Sequence, residues 1–509
     1  PISLRCLLGI TTVLVLLSSG TGASTPKAPP PPAFLDFEIV DSAGLAIPGR
    51  LTFTAPDGSP AAAFDPAPNS RGLAIRPHVV STPSGTGRVP VIPGLYTVTA
   101  SRGLEWSVDV QELALRAGEQ KSYRAVLRHE VDTGNWVAAD LHLHTQDFSG
   151  HSDARIHERI ITLLAEGLEV AVATDHDHAT DYASHGVIPE ANPPLRSVVG
   201  IELSSPDGHF NVFPLSQASK PPAPNTSAPE LIRQVRALNE VAGTPPLLQV
   251  NHPRSGTAYF NQIQLDPVTG TTPLPDGPGD FDLLEVLNQN EGFGYYDSQL
   301  FSNPAAHPSQ HWALGDWFNL LNRGYRYTAV GNSDSHTVYG DIAGYPRNFV
   351  WMPPPLAATP PVSEIARSLR AHRSLISLGP FVELSVNGAP MGSEVVAPGA
   401  SIELSLRVQA ASWVDVDRVK IIINGDLVEE IPVPQTRQPV RLETERTLEL
   451  TGDSWLILLV EGDDPLHPVI PNQQRPIRPL AVTNPIWIKT LPEGAWTSPW
   501  AQAQAWAAK

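Results

Sequence analysis

Histidine is the residue type whose placement in this chain points most directly to chemistry. Twelve of the 16 histidines lie between Asp140 and His336, where an even scatter over 509 residues would place about 6. Cys6 is the only cysteine, so a metal site would have to use imidazoles and carboxylates. His142 and His144 alternate in a β-type run, which puts both on one face with Cα atoms roughly 7 Å apart. Such a pair can bind one metal ion, and the alternative is a pair of surface histidines on an edge strand.

Further ionisable residues follow where apolar β-type runs meet loops. They are Asp175, His176, His178, Glu202, His209, His252, Asp334 and His336. Burying such groups without partners would cost several kcal/mol each, whereas convergence on divalent cations would satisfy them together. Two or three cations roughly 3.5–4 Å apart would activate a water molecule for hydrolysis without a covalent enzyme intermediate. This donor set favours Zn²⁺, with Mn²⁺ or Fe²⁺ as competitors.

The ordered motifs resemble those of the PHP superfamily, named for polymerase and histidinol phosphatase. The resemblance covers about residues 136–380 and rests on Asp140-Leu141-His142-Leu143-His144-Thr145, Thr174-Asp175-His176, a lone Glu202, Asn251-His252-Pro253 and Asp334-Ser335-His336. The passages Leu163–Gly167 and Gly208–Pro214 look most like the carbaryl-hydrolase-like branch of that superfamily. The resemblance implies a distorted seven-stranded β/α barrel.

The resemblance also implies a set of metal ligands. They are His142, His144, His151, His176, Glu202, His209, His252, Asp334 and His336. The ligand shortly after the first pair has two candidates, His151 and Asp153, of which His151 has the spacing that the branch usually uses. Glu202 is expected to bridge two cations, because a carboxylate has two oxygens to share.

Three further residues are candidates for direct catalytic roles. Asp175 could act in catalysis, although its alternative role is to orient imidazoles or to cap a helix. His178 could protonate a leaving group or could be a solvated loop residue. Arg254 could grip a phosphoryl or carbonyl oxygen at the rim of the metal site, and its alternative role is a surface ion pair.

The elements that must position these residues form an α/β fold with β-rich segments on both sides. Before about residue 130 and after residue 380 the apolar residues alternate with period two, and between these segments strands alternate with helices. We therefore expect a barrel flanked by two β-sandwich domains. The predicted boundaries are 34–130 for the first sandwich, 136–380 for the barrel, 381–490 for the second sandwich and 491–509 for a polar tail.

Charge and the N-terminal segment limit the classes of partner. The net charge of −18 argues against a broad nucleic-acid-binding surface. Residues 1–23 combine Arg5 with a short apolar run, which predicts an export signal, or a membrane anchor if it is not cleaved, and a Pro-rich linker follows at 24–33. We expect an exported protein, periplasmic or extracellular, with no later membrane span. Its oligomeric state is left open by the sequence.

Three functions are compatible with these observations. The first is hydrolysis of a small-molecule phosphomonoester or phosphodiester, which the superfamily resemblance favours. The second is hydrolysis of a carbamate, ester or amide, which the branch resemblance favours. The third belongs to a different class: an exported binding protein whose barrel is catalytically idle.

Overall fold

The computed structural model describes residues 30–64, 72–185, 194–216, 218–255, 258–289, 313–357, 359–471 and 476–507. The predicted export segment, most of the predicted linker and the start of a helix expected near 308–323 lie outside these residues. In the described part the chain is a mixed α/β protein, built mostly of strands in several sheets. No helix of this part is both long and apolar enough to cross a membrane.

The N-terminal part consists of two sheets, one antiparallel and one mixed. Its strands are β1 (Ala33–Val40), β2 (Gly49–Thr54), β3 (Ala74–Arg76), β4 (Val79–Thr82), β5 (Thr86–Val91), β6 (Gly94–Ser101), β7 (Asp109–Leu115) and β8 (Gln120–Val126). They form a three-stranded sheet in the order β5-β1-β8 and a five-stranded sheet in the order β3-β4-β2-β6-β7. Leu35, Phe37 and Ile39 of β1 are buried at alternate positions, as the period-two pattern predicts.

The middle part alternates short buried strands with helices. Its elements are β9 (Trp136–Asp140), α1 (Gln146–Ser149), α2 (Ile156–Ala165), β10 (Val170–Ala173), α3 (Tyr182–His185), β11 (Arg196–Val199), β12 (Ile201–Ser205), β13 (Gly208–Phe213), α4 (Ala228–Arg236), β14 (Leu247–Val250), α5 (Tyr259–Gln262), β15 (Leu283–Asn288), α6 (Ala313–Arg323), β16 (Thr328–Asn332), β17 (Arg347–Trp351), α7 (Val362–Arg370) and β18 (Ser374–Ser377). The helices that the sequence predicts near 155–166, 228–242 and 362–372 are present as α2, α4 and α7.

Strand pairing in the middle part differs from the expected mostly parallel arrangement. β9, β10 and β11 pair in parallel, and so do β14, β15 and β16. By contrast β13 is antiparallel to β12 and β14, and β17 is antiparallel to β9 and β18. Only Pro206 and Asp207 separate β12 from β13, and a connection of two residues allows a hairpin but no parallel crossover. The sheets are therefore mixed.

Two isolated β-bridges join the sheets of the middle part where the strands end. Leu143 beyond β9 pairs in parallel with Ser335 beyond β16, and His176 beyond β10 pairs in parallel with Glu202 of β12. These bridges hold together the chain segments that carry most of the candidate ligands.

The C-terminal part extends one of these sheets and adds another. Its elements are β19 (Phe381–Val386), β20 (Ala389–Pro390), β21 (Glu394–Val396), β22 (Ser401–Gln409), β23 (Arg418–Ile423), β24 (Asp426–Pro432), β25 (Val440–Glu449), β26 (Ser454–Glu461), β27 (Leu480–Thr483), β28 (Ile486–Lys489) and α8 (Pro499–Ala507). β27 pairs with β18, so the sheet of β9 continues through β27, β26, β23 and β24. The segment expected as a polar tail contains α8 and is held by hydrogen bonds from Thr497 and Gln502 to Asp453.

Candidate metal centre

Six strands bring their ends together around one cluster of imidazoles and carboxylates. His142 and His144 follow β9, and Glu202 lies on β12. His209 is at the start of β13, and it reaches the same place because β13 runs antiparallel to β12 with His209 opposite Ser204. We call the following residues the histidine cluster: His142, His144, His176, Glu202, His209, His252, Asp334 and His336.

Glu202 lies at the centre of the histidine cluster. Its carboxylate is buried, and its two oxygens lie 3.1–3.4 Å from ring nitrogens of His142, His144, His176, His209 and His252. Oε1 faces His142, His209 and His252, whereas Oε2 faces His144 and His176. The two oxygens thus belong to different donor groups, as a bridging carboxylate requires.

Asp334 is the second carboxylate of the cluster. Its Oδ1 lies 3.0 Å from His144 Nε2 and 3.3 Å from His142 Nε2. Around the two carboxylates, four sets of three side chains have donor atoms within 4.8 Å of one another: His144, His176 and His336; His142, His144 and Glu202; His142, His252 and Asp334; and His176, Glu202 and His209. Several ions could therefore bind with shared ligands.

The spacing of the donor atoms fits a divalent metal. Two ligands at about 2.0–2.2 Å from one ion lie roughly 2.8–3.6 Å apart for angles between 90° and tetrahedral, which includes the separations around Glu202. His142 Nε2, His144 Nε2 and Glu202 Oε2 are buried and have no aligned hydrogen bond within the described residues. Buried polar atoms left in this way are costly. A cation could coordinate all three of these atoms, so the residues present fit a bound metal.

Glu285 is a functional residue that the sequence interpretation missed. Its Oε1 lies 3.0 Å from His142 Nδ1, and an ionised carboxylate can only accept, so Nδ1 carries the proton and Nε2 presents its lone pair to the cluster. Asn288 and Asn332 donate to the same carboxylate. The available signal was a single Glu in the otherwise apolar run of β15, all six residues of which are buried.

Ser149 and Asp175 fix His144 in the same way. Ser149 Oγ donates to Asp175 Oδ1 at 2.8 Å, and it therefore accepts from His144 Nδ1 at 3.1 Å. Thr145 also donates to Asp175, through its backbone and its hydroxyl group. The contacts of Asp175 are those of a residue that orients an imidazole, the alternative that the sequence left open.

His151 lies beside His176 and His336, two partly exposed members of the cluster. The ring of His151 lies 4.9 Å from that of His176 and 4.6 Å from that of His336, measured between centroids. The other candidate, Asp153, is engaged elsewhere, with its carboxylate bonded to Arg76 and to the backbone nitrogen of Val338. We call His151, His176 and His336 the outer group.

Arg254 is held in a buried ion pair. Its Nε and Nη2 donate to the two carboxylate oxygens of Asp316 at 2.7 and 2.6 Å. Nη2 also donates to Leu265 O, and Nη1 to Asn261 Oδ1. These contacts already occupy the guanidinium, so they support a structural role for Arg254 rather than a grip on substrate oxygens.

His178 lies on the loop after β10 and is exposed. Its ring stacks on that of Phe148 with centroids 4.1 Å apart, and Nδ1 lies 3.2 Å from Thr180 Oγ1. Phe148 belongs to α1, the helix that also supplies Ser149. An exposed imidazole held in this way remains available to a bound molecule near the cluster.

Burial and charge shift the pKa values inside the cluster in opposite directions. Burial alone would raise the pKa of Glu202, but the neighbouring imidazoles, His142 foremost, hold it well below its usual value. Burial alone would lower the pKa of His142, but Asp334, Glu202 and Glu285 raise it well above its usual value. Without a cation the cluster would thus hold a proton on His142.

Two candidate ligands have left-handed backbone conformations that only glycine adopts without cost. The φ angles are 26° at His252 and 51° at Asp334, both just beyond strand ends. Such conformations cost roughly 1–3 kcal/mol each and persist where the surrounding structure imposes them. Here they direct both side chains towards Glu202.

Comparisons with known proteins give weak likenesses. No protein-family model matches the chain, and no curated protein matches it. A solved two-domain protein from Bacteroides vulgatus ATCC 8482, described as containing a predicted PHP-like metal-dependent phosphoesterase, is 16% identical over 71% of this chain and 98% of that chain, with a TM-score of 0.34. An engineered protein is 12% identical over 64% of this chain and 51% of that one, with a TM-score of 0.15. Neither likeness is strong enough to assign a function to this chain.

Proposed function

We propose that this protein is a metal-dependent hydrolase that uses the histidine cluster to bind two or three divalent cations and that cleaves a phosphoester of a small molecule. The observation that carries the proposal is Glu202, a buried carboxylate with five imidazole nitrogens 3.1–3.4 Å from its two oxygens. Zn²⁺ suits these nitrogen and oxygen donors, with Mn²⁺ and Fe²⁺ as competitors. When bound, such cations supply Lewis acidity and activation of water.

The residues of the chain prepare the ligands for this task. Glu285 and the Ser149–Asp175 pair hold the protons of His142 and His144 on Nδ1, which keeps both Nε2 atoms ready to bind. His178, exposed beside Phe148, would donate a proton to a leaving group. We assign His178 as the proton donor and Asp175 as a positioning residue.

The charge of the cluster favours a phosphoryl substrate. Its ligands include two carboxylates, Glu202 and Asp334, and the carboxylates of Glu285 and Asp175 lie behind the imidazoles. Three divalent cations would therefore leave the cluster net positive, whereas two would leave it about neutral. A net positive charge attracts an anionic substrate more strongly than a neutral one.

A second candidate is a carbamate, ester or amide, which one observation favours. Arg254, the cation expected at the rim, is already committed to Asp316 and buried. Within the described residues, a rim whose expected arginine is engaged in this way suits a less charged substrate. Turnover of an aryl phosphate and of an aryl ester by the metal-loaded protein separates the two candidates, and we expect the higher kcat/KM on the phosphate.

Metal analysis of the purified protein tests the proposal directly. We expect two or three divalent cations per chain by mass spectrometry, and loss of bound metal and of turnover after the double substitution His142→Ala and His144→Ala. The matched control changes two histidines outside the cluster, His129→Ala and His157→Ala. This control should keep both its bound metal and its turnover. Unchanged stoichiometry in the first variant would reject these ligands, and metal-loaded protein inactive on both substrates would support the idle binding protein.

We further propose the architecture and location that the sequence predicts. The barrel would consist of β9, β10 and β12 to β16, and the two isolated bridges between its sheets support this closure. The β-rich segments 34–130 and 381–490 would be the flanking domains. The N-terminal 23 residues would direct export, which fractionation of cells expressing the full chain would test.

A further inference from the structure

An arginine of the N-terminal sheets reaches the segment that carries His151. Arg76 ends β3, and its Nε and Nη2 donate to the carboxylate of Asp153 at 3.2 and 3.1 Å. Nη2 also donates to the backbone oxygen of Asp153. Nη1 donates to Glu158 Oε1 at 2.9 Å, in the first turn of α2. One guanidinium thus ties together both ends of the short segment between His151 and α2.

Asp153 in turn holds the segment that carries His336. Its backbone nitrogen donates to His336 O at 2.8 Å, and its Oδ1 accepts from the backbone nitrogen of Val338 at 2.8 Å. The neighbouring Ser152 hydroxyl also donates to His336 O. Two members of the outer group therefore lie on segments that are joined through Asp153.

The turn between β3 and β4 makes a second contact with the middle part. His78, between β3 and β4, packs edge-on against Tyr339 with ring centroids 3.9 Å apart. Tyr339 lies three residues after His336. The β3–β4 hairpin thus touches the chain on both sides of the outer group.

Several hydrogen bonds from one guanidinium, rather than burial, separate this contact from an ordinary surface ion pair. The side chains of Arg76 and Glu158 are 18% and 15% exposed, and that of Asp153 is 48% exposed. Without Arg76, the carboxylates of Asp153 and Glu158 would face each other with no cation between them. Repulsion would move Asp153 out and release its bonds to Val338 and His336.

From these contacts we propose that Arg76 is a positioning residue for the metal bound by the outer group, so that the N-terminal sheets form part of the metal centre. This inference rests on the proposed function. The other ligands, His142, His144, Glu202 and Asp334, are anchored by strands of the middle part and by Glu285 and Ser149, so His144 would keep its position although it shares a donor set with His176 and His336. The effect of Arg76 should therefore be confined to the outermost ion.

The test is Zn²⁺ titration of the full chain, with the affinity of each ion measured by competition with a chelator and the stoichiometry by mass spectrometry. Arg76→Gln should weaken the most weakly bound ion about 10–100-fold, the usual effect of removing a residue that orients a ligand, and should leave the other ions unchanged. Arg76→Lys should weaken the same ion less than Arg76→Gln does, because lysine keeps the positive charge but lacks the planar guanidinium group. Arg124→Gln removes a surface ion pair with Glu38 in the same sheets and should have no effect on any ion.

Asp153→Asn provides a second route to the same result, should Arg76→Gln fail to fold. It keeps an acceptor for Val338 while removing the charge that Arg76 binds, and it should weaken the same ion. Affinities identical to wild type, or an equal loss for every ion, would overturn the positioning role. A wild-type chain that binds no Zn²⁺ would instead refute the proposed function, so the two failures are distinguishable.

Discussion

Two buried clusters of charged side chains lie in this protein, and they differ in how their charges are compensated. The arginine cluster joins the N-terminal sheets to the middle part and consists of Arg50, Arg102, Glu105, Glu166 and Arg347. Arg347 is fully buried, and all three of its nitrogens donate, to Gly344 O, Glu105 and Glu166 O. In the histidine cluster the equally buried His142 and His144 turn their Nε2 atoms, which would bind a metal, towards carboxylate oxygens.

The difference shows which kind of buried polar cluster calls for a ligand. In the arginine cluster the cations of Arg50 and Arg347 pair with the carboxylates of Glu166 and Glu105, although Arg50 Nε and Nη1, Arg102 Nε and Glu166 Oε2 have no aligned hydrogen bond within the described residues. In the histidine cluster the converging imidazole nitrogens and carboxylate oxygens are all atoms that could bind a metal. Burial alone is therefore no sign of a binding site, whereas burial of like groups that converge is one.

The largest effect on stability should come from breaking the arginine cluster. Arg347→Met removes the cation but leaves the carboxylate of Glu105 buried, which should lower the free energy of unfolding by about 3–5 kcal/mol. Urea unfolding measures this loss. The folded variant should still bind as much metal as wild type, because Arg347 makes no contact that the histidine cluster needs.

The matched control for Arg347→Met is Arg124→Met, which breaks an exposed ion pair and should change stability by less than about 1 kcal/mol. A loss of metal from folded Arg347→Met would show that the two clusters are coupled and would remove the distinction between them.

Removal of each metal ion should have the next largest effect, and only through the histidine cluster. A cation present at a hundred times its dissociation constant stabilises the fold by about 2.7 kcal/mol, so chelation should lower the free energy of unfolding by at least that amount. The same decrement should appear in Arg347→Met, since changes at independent sites add. A chelator effect that survives unchanged in the variant lacking His142 and His144 would place the bound metal elsewhere.

Glu285 tests how the histidine cluster is kept ready for metal. Glu285→Leu removes the acceptor that fixes the tautomer of His142 and should weaken metal binding about 100-fold, whereas Glu285→Gln keeps an acceptor and should cost only about 10-fold. Competition titration with a chelator measures both values. Equal affinities in the two variants would mean that the charge of Glu285, and not its hydrogen bond, supports His142.

These residues also show how far the sequence could predict the site. His142 and His144 were accessible because strand periodicity fixes their common face, and the structure brings them to Glu202 and Asp334. Glu285 was not accessible, since a single Glu in an apolar strand shows burial but not its partner. Ser149 was missed for a similar reason: its hydroxyl group matters only because the fold places it between Asp175 and His144.

The fold shows the same limit. Alternation of strands and helices was readable between residues 136 and 380, because side-chain burial follows local periodicity. Strand pairing was not, since β18 pairs with β27, about a hundred residues later, through contacts that no local pattern encodes. The contact of the β3–β4 hairpin with the segments of the outer group could not be predicted for the same reason.

The last predicted effect depends on pH and concerns Glu169, which lies beside the arginine cluster and accepts a hydrogen bond from the backbone nitrogen of Ala138. Burial raises its pKa to about 7, with Glu105 adding to the effect and Arg347 opposing it. The folded state therefore holds this proton more tightly than the unfolded chain, in which the pKa is near 4.5. As the pH rises from about 4.5 to 7, the unfolded chain loses the proton first, so stability falls across this window.

Glu169→Gln should remove that fall, because the amide keeps an acceptor for Ala138 but does not ionise. At pH 8 the variant should be more stable than wild type by about 3 kcal/mol, and at pH 4 the two should be nearly equal. Urea unfolding of both proteins in the presence of a chelator isolates the contribution of Glu169 to the free energy of unfolding, because the imidazoles then titrate identically in each protein. Parallel curves across the whole range would mean that the arginines compensate Glu169 as completely as they compensate Glu105, and the arginine cluster would then be balanced throughout.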